Sequence, residues 1–289
     1  MNYALHVLIL ISIYMILSLS LNLLVGFTGL VSVCHAAFYG FGAYVFALLM
    51  MRQGINAVLA LVVAIVATSL FSLVVSVPSL RLRGDYFVLG TLAFQFIVFD
   101  ILNNLVSLTG GPFGITGIPA FHFFGISINT PARFALLSFA VAGLCIFLMR
   151  LILSSPFGQV LKALREDELS SQALGKNVAA TKIKVFALAS AFAAVAGVLY
   201  AVYMTYIDPS SFTIDESIFV LSIVLIGGLG NIKGPIVGTV LLLSLAEALR
   251  FVGIPSAVAP NVRQIIYGAL LVVFMYFRPQ GLVGIYKFE

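Results

Sequence analysis

Long apolar runs separated by short polar stretches dominate the chain. A helix needs about 20 apolar residues to cross a bilayer, and runs approaching that length lie near 4–25, 31–51, 57–77, 86–106, 132–153, 182–205, 216–229, 235–253 and 261–277. The run at 216–229 is short, and glycines including Gly40 and Gly42 interrupt 29–42, so either stretch could be re-entrant. The pattern predicts an all-α polytopic membrane protein with about nine transmembrane helices, within a range of about 8–10.

The composition agrees with a membrane protein. Only 9% of the residues are charged, 62% are hydrophobic and the mean hydropathy is +1.18, whereas a soluble domain carries about 25% charged residues. The first run lacks the basic start of a signal peptide and is long enough to span, so we expect a retained helix. Cys34 and Cys145 lie in apolar runs, and nothing has metal-site spacing. We therefore expect no disulfide framework, no metal and no cofactor.

The distribution of Lys and Arg predicts the orientation of the helices. The net charge is +5, but the basic residues are spread singly along loops, which is typical of membrane orientation rather than of nucleic-acid binding. The minority set of loops holds four of them, Arg52, Arg133, Arg250 and Arg263. The majority set holds eleven: Arg81, Arg83, Arg150, Lys162, Arg165, Lys176, Lys182, Lys184, Lys233, Arg278 and Lys287. The positive-inside rule then places the N-terminus outside and the C-terminus in the cytoplasm.

The loop 107–131 falls on the outer side in this orientation. It is rich in Gly and Pro and almost uncharged. Such a loop is ordered only if it packs on other elements, and it could cover an external mouth or contact an external partner.

A polar segment, "SPFGQVLKALREDELSSQALG" at Ser155–Gly175, interrupts the apolar pattern near its middle. Ser155 is a good N-cap, Pro156 suits the first helical position, and Gly175 is a plausible stop. Apolar residues recur at helical spacing, which predicts one amphipathic helix of about four turns; they are Phe157, Val160, Leu161 and Leu164. The helix could lie on the membrane surface or dock a cytoplasmic partner. The three adjacent acids at 166–168 are disfavoured at an anionic lipid surface, but both interpretations stay open.

Three spans carry residues that could line a solute path. Small residues recur through Gly29–Met50, and these permit close helix packing in lipid. A polar side chain in a span, such as His35, tends to face protein or a water-filled cavity, so a broken helix lining a path is the functional alternative. The span that follows Asp85 also contains small or hydroxyl residues, which could either permit close helix contact or line a path. The candidates for the path are Asn22, His35, Tyr39, Gly40, Gly42, Tyr44, Gly90 and Thr91.

The stretch Ile226–Thr239, "IGGLGNIKGPIVGT", predicts a tight turn between two spans. It lacks the Walker pattern, so we do not expect nucleotide binding there. The overlapping stretch Val224–Gly234 echoes Leu23–Val33, since both are apolar runs followed by Gly-x-x-Gly. A parallel repeat or the general glycine richness of membrane helices would explain the likeness. Asp100 and Glu247, the latter with Arg250 three residues on, lie near outer helix ends. No chain of acids crosses the membrane, which disfavours a proton-coupled carrier.

Four motifs carry a resemblance to a known family. They are "GLVSVCHAAFYGFGAY", "RLRGDYFVLGTLAF", "LTGGPFGITGIP", and "SPFGQVLKALREDELSSQALGKNVAATK" with the later "GGLGNIKGPIVGT". They follow one another from Gly29 to Thr239, at the family's spacing. In these motifs the chain resembles the LivM-type permeases of bacterial branched-chain amino acid ABC transporters.

The resemblance implies a single ABC importer transmembrane domain over residues 1–289, with a cytoplasmic coupling loop at 154–181, in the bacterial inner membrane. It implies that the partners of the chain are a second related permease, two cytoplasmic ATPase subunits, an external solute-binding protein and the lipid bilayer. ATP hydrolysis would occur on the ATPases, so the chain itself would not be an enzyme. We also expect His35, Tyr39 and Tyr44 to lie nearer the permease–permease interface or the path than the lipid.

The resemblance also assigns the polar segment to ATPase docking. The family carries a form of the "EAA" motif in this loop, and the matching positions here are Leu169, Ser170 and Ser171, followed by Gly175. The small pair is Ser-Ser rather than the usual Ala-Ala, a mild departure. The residues expected to couple to an ATPase are Gly158, Arg165, Glu166, Asp167, Glu168, Ser170, Ser171 and Gly175.

The implied function is translocation of branched-chain, hydrophobic amino acids. A related permease for urea, short amides or other small solutes is an alternative that the motifs leave open. A stand-alone secondary carrier or channel is a third, from another class, and the scarcity of membrane-embedded charge counts against it.

Overall fold

The computed structural model describes residues 2–82, 84–123, 126–127, 130–249, 259–278 and 280–284. Within these ranges the long elements are all helical. The helices are α1 (Asn2–Thr28), α2 (His35–Gln53), α3 (Ala57–Ser79), α4 (Asp85–Asn104), α5 (Val106–Thr109), α6 (Pro131–Ser154), α7 (Pro156–Glu166), α8 (Glu168–Ala173), α9 (Val178–Met204), α10 (Ile214–Gly227), α11 (Lys233–Ala248) and α12 (Ala259–Phe277). Short 3-10 helices lie at Gly111–Phe113 and Pro209–Phe212.

Four two-residue strands complete the described structure. They are β1 (Ile115–Thr116), β2 (His122–Phe123), β3 (Ile126–Ser127) and β4 (Tyr206–Ile207). β1 pairs antiparallel with β4, so the Gly- and Pro-rich loop after α4 is fixed to the chain that follows α9. β2 pairs antiparallel with β3 within the same loop.

Six of the described helical segments are long and apolar enough to cross a membrane, which confirms a polytopic membrane protein. They are Tyr3–Thr28, Ala57–Ser79, Asp85–Asn104, Pro131–Ser154, Val178–Met204 and Pro209–Gly227. Each of the nine apolar runs found in the sequence overlaps one of the longer helices within the described residues. The segment at 216–229 is the helix α10, which the preceding 3-10 turn extends to a length sufficient to span.

The centre of the bundle is formed by α1, α2 and α9. The most apolar windows of α1 and α9 are each 72% buried, whereas those of α3, α4 and α6 are 28% buried, so the latter three present most of their surface outward. α9 packs on α1, α2 and α3. Gly197 permits the close approach of α9 to α2, because a Cβ there would lie 3.0 Å from the backbone nitrogen of Ala43.

The start of α2 lies deep inside the bundle. α1 ends at Thr28, residues 29–34 are not helical, and α2 begins at His35. The His35 ring contacts the Ser20 hydroxyl, eight residues before the end of α1. At 1.5 Å per residue, the chain has therefore turned back by about 12 Å before the helix begins. The re-entrant stretch that the sequence suggested within 29–42 is thus limited to residues 29–34.

Gly40 and Gly42 do not interrupt α2, contrary to the prediction of a break there. The helix runs without interruption from His35 to Gln53. Both glycines are instead points of close packing, since a Cβ at Gly40 would lie 2.7 Å from the Phe212 ring and one at Gly42 2.6 Å from Ala194. A helix can continue through glycine when neighbouring elements pack closely against that part of the helix.

The two ends of the bundle carry different elements. One end, here called the Tyr3 face, contains the start of α1, the end of α9 and the strands β1 and β4. There the His6 ring bonds to the Tyr203 hydroxyl at 2.6 Å. The other end, here called the α7 face, contains the end of α1, the helices α7 and α8, and residues 228–233. Leu282 also lies on it, because its N–H donates to the Ile226 carbonyl at 2.9 Å.

Several expectations from the sequence can be placed on this fold. α4 begins at Asp85 as expected. Cys34 and Cys145 are both free and buried. The Glu247 carboxylate accepts from the Tyr3 hydroxyl, whereas its predicted partner Arg250 lies outside the described residues, as do Arg83 and Lys287.

Candidate functional site

The buried start of α2 is held by side chains from two other helices. A helix leaves its first N–H groups without intrahelical partners, and within a membrane these groups must be satisfied by protein. The Ala36 N–H donates to the Ser217 hydroxyl and the Ala37 N–H to the Gln95 side-chain oxygen, each at 2.9 Å. The Gln95 amide in turn donates to the Phe212 carbonyl at 2.8 Å. This polar junction ties α2 to α4 and α10 inside the apolar core.

The path candidate Thr91 belongs to the same junction. Its hydroxyl accepts from the Val33 N–H at 3.2 Å and donates to the Val88 carbonyl. Thr91 is fully buried, whereas its neighbour Gly90 is half-buried and lies against Leu82. The hydroxyl therefore fixes the non-helical entry to α2.

His35 and Asn22 are buried polar residues with partners inside the chain. The His35 Nε2 atom bonds to Ser20, while its Nδ1 atom has no partner among the described residues. Asn22 donates to the Asn231 carbonyl at 3.0 Å and accepts from the Gly230 N–H at 3.3 Å. The two segments that echo each other in the sequence are therefore in contact, and Asn22 joins them.

An aromatic cavity of about 460 Å³ opens toward the Tyr3 face. Residues from α1, α2, α9, α10, α11 and α12 contribute to its wall. Its aromatic lining is formed by Tyr14, Tyr39, Tyr200, Phe219 and Tyr267, and its acidic lining by Asp215, Glu216 and Glu247. A volume of this size lies within the range of small-molecule sites, about 300–1,000 Å³.

Of the path candidates, Tyr39 is the one that lines this cavity. Tyr39, His35 and Tyr44 are at most 2% exposed, so none of them faces lipid. The hydroxyls of Tyr39 and Tyr44 have no hydrogen-bond partner among the described residues. The rings of Tyr39 and Phe212 pack edge to face, with centroids 5.1 Å apart. Gly40 lies beneath the same Phe212 ring.

Glu216 and Gln95 are the polar residues that the sequence analysis missed. Glu216 lies in the first turn of α10, and Gln95 lies in the middle of α4. One signal was available, because Glu216 is an acid at the edge of a strongly apolar run. The partners of both residues lie on other helices, which no local pattern reveals.

The polar segment on the α7 face forms two helices, not the single four-turn helix predicted. α7 ends at Glu166 and α8 begins at Glu168, with Asp167 extended between them (φ −154°, ψ 112°). The Asp167 carboxylate accepts from the N–H groups of Leu169 and Ser170 and from the Ser170 hydroxyl, so it caps α8. A capping carboxylate competes with continuation of the preceding helix, which explains the break.

The same hydrogen bonds perturb the Asp167 carboxyl group. Donation from Ser170, first by its side chain and then by its backbone, and from Leu169 holds the pKa of Asp167 below its ordinary value of 3.8. The carboxyl is fully exposed. The cap is therefore ionised at neutral pH.

The predicted ends of this segment are confirmed. Ser155 accepts from the Gly158 N–H at 3.5 Å, and Pro156 occupies the first helical position. Gly175 has φ +75° and follows α8. Leu161 and Leu164, at 0% and 4% exposure, face the protein's own core, whereas Phe157 and Val160 are half-buried.

The predicted coupling residues are divided between internal contacts and the surface. Arg165 donates to the carbonyls of Val25, at 3.2 Å, and Gly26 at the end of α1. Glu168 forms an ion pair with Lys182 at 2.7 Å, which ties α8 to α9. Gly158 and Ser171 are buried. The exposed ones are Glu166, Asp167, Glu168, Ser170 and Gly175.

Two leucines stand out on the surface of this helix pair. Leu169 is 76% exposed and Leu174 is 78% exposed, although the surrounding segment is polar. A groove of about 550 Å³ lies beside Leu174, lined by parts of α6, α7 and α8 and by Lys176. Exposed apolar side chains beside a groove, outside the membrane spans, are typical of a protein-docking surface. Here it is called the α7–α8 surface.

The similarity to known proteins extends over nearly the whole chain. A family model described as "Branched-chain amino acid transport system / permease component" matches residues 3–275. The LivM permease protein of the high-affinity branched-chain amino acid transport system of Escherichia coli K12 is 35% identical over an alignment of 294 positions, which covers 94% of this chain and 68% of that protein. No solved structure matches the chain.

Two further relatives show the breadth of the similarity. A probable LivM protein of Methanocaldococcus jannaschii is 31% identical, covering 77% of this chain and 68% of its own length. The LivH permease protein of Escherichia coli K12 is 27% identical over 94% of this chain and 92% of that protein. The family consists of permease components and not of enzymes, and the resemblance found in the sequence motifs is confirmed. The chain belongs to the family of permease components of branched-chain amino acid transport systems.

Proposed function

We propose that the chain is one permease subunit of an ATP-driven importer that moves branched-chain amino acids across the bacterial inner membrane. The observation that carries the proposal is the family match over residues 3–275, which extends from the first helix into the last. Relatives named for high-affinity branched-chain amino acid transport, covering 94% of the chain, support the substrate class.

The proposed partners are a second related permease, two cytoplasmic ATPases and an external solute-binding protein. The chain resembles both LivM and LivH proteins, which supports pairing of two related but different permeases. The whole chain would form one transmembrane domain, with residues 154–181 as its cytoplasmic loop. The α7–α8 surface offers the ATPase exposed leucines and acids in one patch.

The proposed topology has nine passes, with the N-terminus outside and the C-terminus in the cytoplasm. The contacts support an odd number, because α1 begins on the Tyr3 face and the chain after α12 lies against Ile226 on the α7 face. The described Lys and Arg residues near the α7 face outnumber those near the Tyr3 face, as the positive-inside rule requires. Those near the α7 face are Arg81, Arg150, Lys162, Arg165, Lys176, Lys182, Lys184, Lys233 and Arg278, and those near the Tyr3 face are Arg52, Arg133 and Arg263.

A chain of contacts supports coupling between an ATPase and the spans. Arg165 joins α7 to the end of α1, and Asn22 joins α1 to the turn between α10 and α11. Glu168 joins α8 to α9 through Lys182. Movement of the α7–α8 surface would therefore reach the end of α1 and the start of α9 on the α7 face, since rigid elements transmit displacement through such bonds.

The docking assignment is tested by substitution of exposed residues. Leu169→Ala with Leu174→Ala, and separately Glu166→Lys, should abolish co-purification of the ATPases while the chain still inserts. Leu136→Ala is the matched control, because Leu136 is also 76% exposed but lies on the membrane helix α6. Glu168→Lys is a less clean test, since it also breaks the ion pair with Lys182. Unchanged co-purification in the first two variants would refute docking at this surface.

The substrate class is tested by competition between solutes. The assembled importer should take up labelled leucine, and unlabelled isoleucine and valine should compete with it while urea and acetamide do not. Uptake of urea in preference to leucine would instead establish the related permease for small polar solutes. The cognate binding protein must be present in both assays, because it delivers the solute.

A further inference from the structure

We propose that the aromatic cavity contains a subsite for the ammonium group of the solute, formed by Glu216, with Tyr39 lining the same cavity. The inference rests on the proposed function, since it names where an amino acid would contact this chain. It assigns Glu216 to the ammonium group and the Tyr39 hydroxyl to the carboxylate. The apolar remainder of the cavity is assigned to the side chain of the solute.

Glu216 is a carboxylate held inside the protein without a cationic partner among the described residues. One of its side-chain oxygens, Oε1, is buried and has no hydrogen-bond partner among them. Tyr14 lines the same cavity. A buried carboxylate costs free energy unless it is paired, so the site is unsatisfied until a donor with positive charge enters.

The described lining of the cavity favours a cation throughout. It contains the three acids Asp215, Glu216 and Glu247 and no Lys, Arg or His. Asp215 accepts from the Gln264 amide at 2.9 Å, and Glu247 accepts from Tyr3, whereas Glu216 has a buried oxygen without a partner among the described residues. Tyrosine rings add to this preference, because their faces attract ammonium groups.

Tyr39 supplies a second unsatisfied group in the same cavity. The residue is 1% exposed, and its hydroxyl has no partner among the described residues. Its ring is held from two sides, with the Tyr200 centroid at 5.5 Å and the Phe212 centroid at 5.1 Å. A fixed hydroxyl of this kind can donate to a carboxylate oxygen of the solute.

The rest of the lining indicates an organic ligand and not a metal ion. Val7, Leu10, Leu243 and Ala246 give the cavity an apolar wall suited to an aliphatic side chain. Among the residues the structure describes, no group of three or more His, Cys, Asp or Glu side chains could hold a metal ion. A single free carboxylate oxygen beside aromatic rings fits an ammonium group better than a metal, which needs several oxygen ligands.

The test compares solutes that differ in one charged group. The complete importer without its binding protein is titrated with leucine, with 4-methylpentanoate, which lacks the amine, and with leucinamide, which lacks the carboxylate. The wild-type complex should bind leucine about tenfold more tightly than 4-methylpentanoate, because a hydrogen bond to a charged group is lost. Glu216→Gln should remove that preference, and Tyr39→Phe should reduce the preference for leucine over leucinamide. Asp100→Asn is the control, since it removes an exposed carboxylate elsewhere.

The outcomes separate this inference from the proposed function. A preference for the amine that persists in Glu216→Gln, or that is missing in the wild type, overturns the subsite. Because binding is measured without ATP, it is independent of uptake. ATP-driven leucine uptake with an unchanged preference in Glu216→Gln rejects the subsite alone. If the wild-type importer takes up no leucine but Glu216→Gln still removes the preference for the amine, the subsite is supported and the proposed function is rejected. Co-purification of the ATPases verifies that each variant is folded.

Discussion

Gly158 shows how a single missing side chain sets the corner between α6 and α7. A Cβ at this position would lie 2.6 Å from the backbone of Leu153, which cannot move without displacing the end of α6. Gly143 on α6 is a contrast, since a Cβ there meets nothing within 4 Å. The same residue type thus serves a strict geometric requirement at one site and none at the other.

Gly158→Ala should therefore destabilise the protein, by about 1–3 kcal/mol, because extra atoms in a packed corner force the backbone to shift. Gly143→Ala should be neutral or slightly stabilising, by about 0.5–1 kcal/mol, because alanine favours the helix. Thermal unfolding of the detergent-solubilised variants measures both. Equal melting temperatures for the two variants would contradict the packing seen at Gly158.

The sequence identified several buried polar residues but not their partners. His35 and Asn22 were recognisable as polar groups inside apolar runs, and both are buried. Their roles depend on hydrogen bonds to Ser20 and Gly230, which lie in other elements of the fold. Glu216 was missed because it lies at the edge of a run, where an acid is normally exposed to water.

At the scale of elements, the helix pair α7 and α8 depends on its acidic cap. The pKa of Asp167 is lower in the folded protein than in the unfolded chain, so the cap stabilises the fold above the unfolded pKa of about 3.8 and loses its effect as the pH falls through the folded value. Protection of α8 should therefore be unchanged between about pH 7 and pH 5.

Asp167→Ala should increase hydrogen exchange across Glu168–Ala173, because two backbone N–H groups lose their acceptor. Asp167→Asn is the matched variant, since Asn caps helices about as well as Asp, and it should leave exchange nearly unchanged. Hydrogen exchange with mass spectrometry measures the difference. Equal protection in the alanine variant would show that α8 does not depend on its cap.

Arg165 links α7 to the end of α1, so its substitution should affect transport and not only assembly with the ATPases. Arg165→Ala removes the donor to the last carbonyls of α1, where a cation also complements the helix dipole. We expect ATP hydrolysis to continue while leucine uptake per ATP falls about tenfold, in the usual range of coupling between sites. Lys162→Ala removes a charge from the same helix and should keep the ratio. A retained ratio in Arg165→Ala would place the coupling elsewhere.

The single amphipathic helix expected from the sequence was wrong for a physical reason. Periodicity identified the buried side of α7 and the ends of the segment correctly. Periodicity could not show whether Asp167 continues the first helix or caps the next one, because the same sequence is compatible with both. The same ambiguity affected Gly40 and Gly42, which are equally typical of a helix break and of close helix packing.

At the scale of the whole molecule, hydrophobic runs predicted the helices well, because in a membrane every backbone group must be satisfied within its own segment. All nine apolar runs overlap helices in the described part of the chain. The return of residues 29–34 into the bundle was harder to place, since it depends on acceptors from α4 and α10. The aromatic cavity needs six helices to form and has no local sequence signal.

The most direct test of the central claim is the energy source for solute uptake. Proteoliposomes that contain this chain with the second permease and both ATPases, and with the binding protein outside, should accumulate labelled leucine only when hydrolysable ATP is inside. An ion gradient without ATP should produce no accumulation. Leucine uptake by this chain alone, driven by an ion gradient in the absence of any ATPase, would contradict the assignment and establish a secondary carrier.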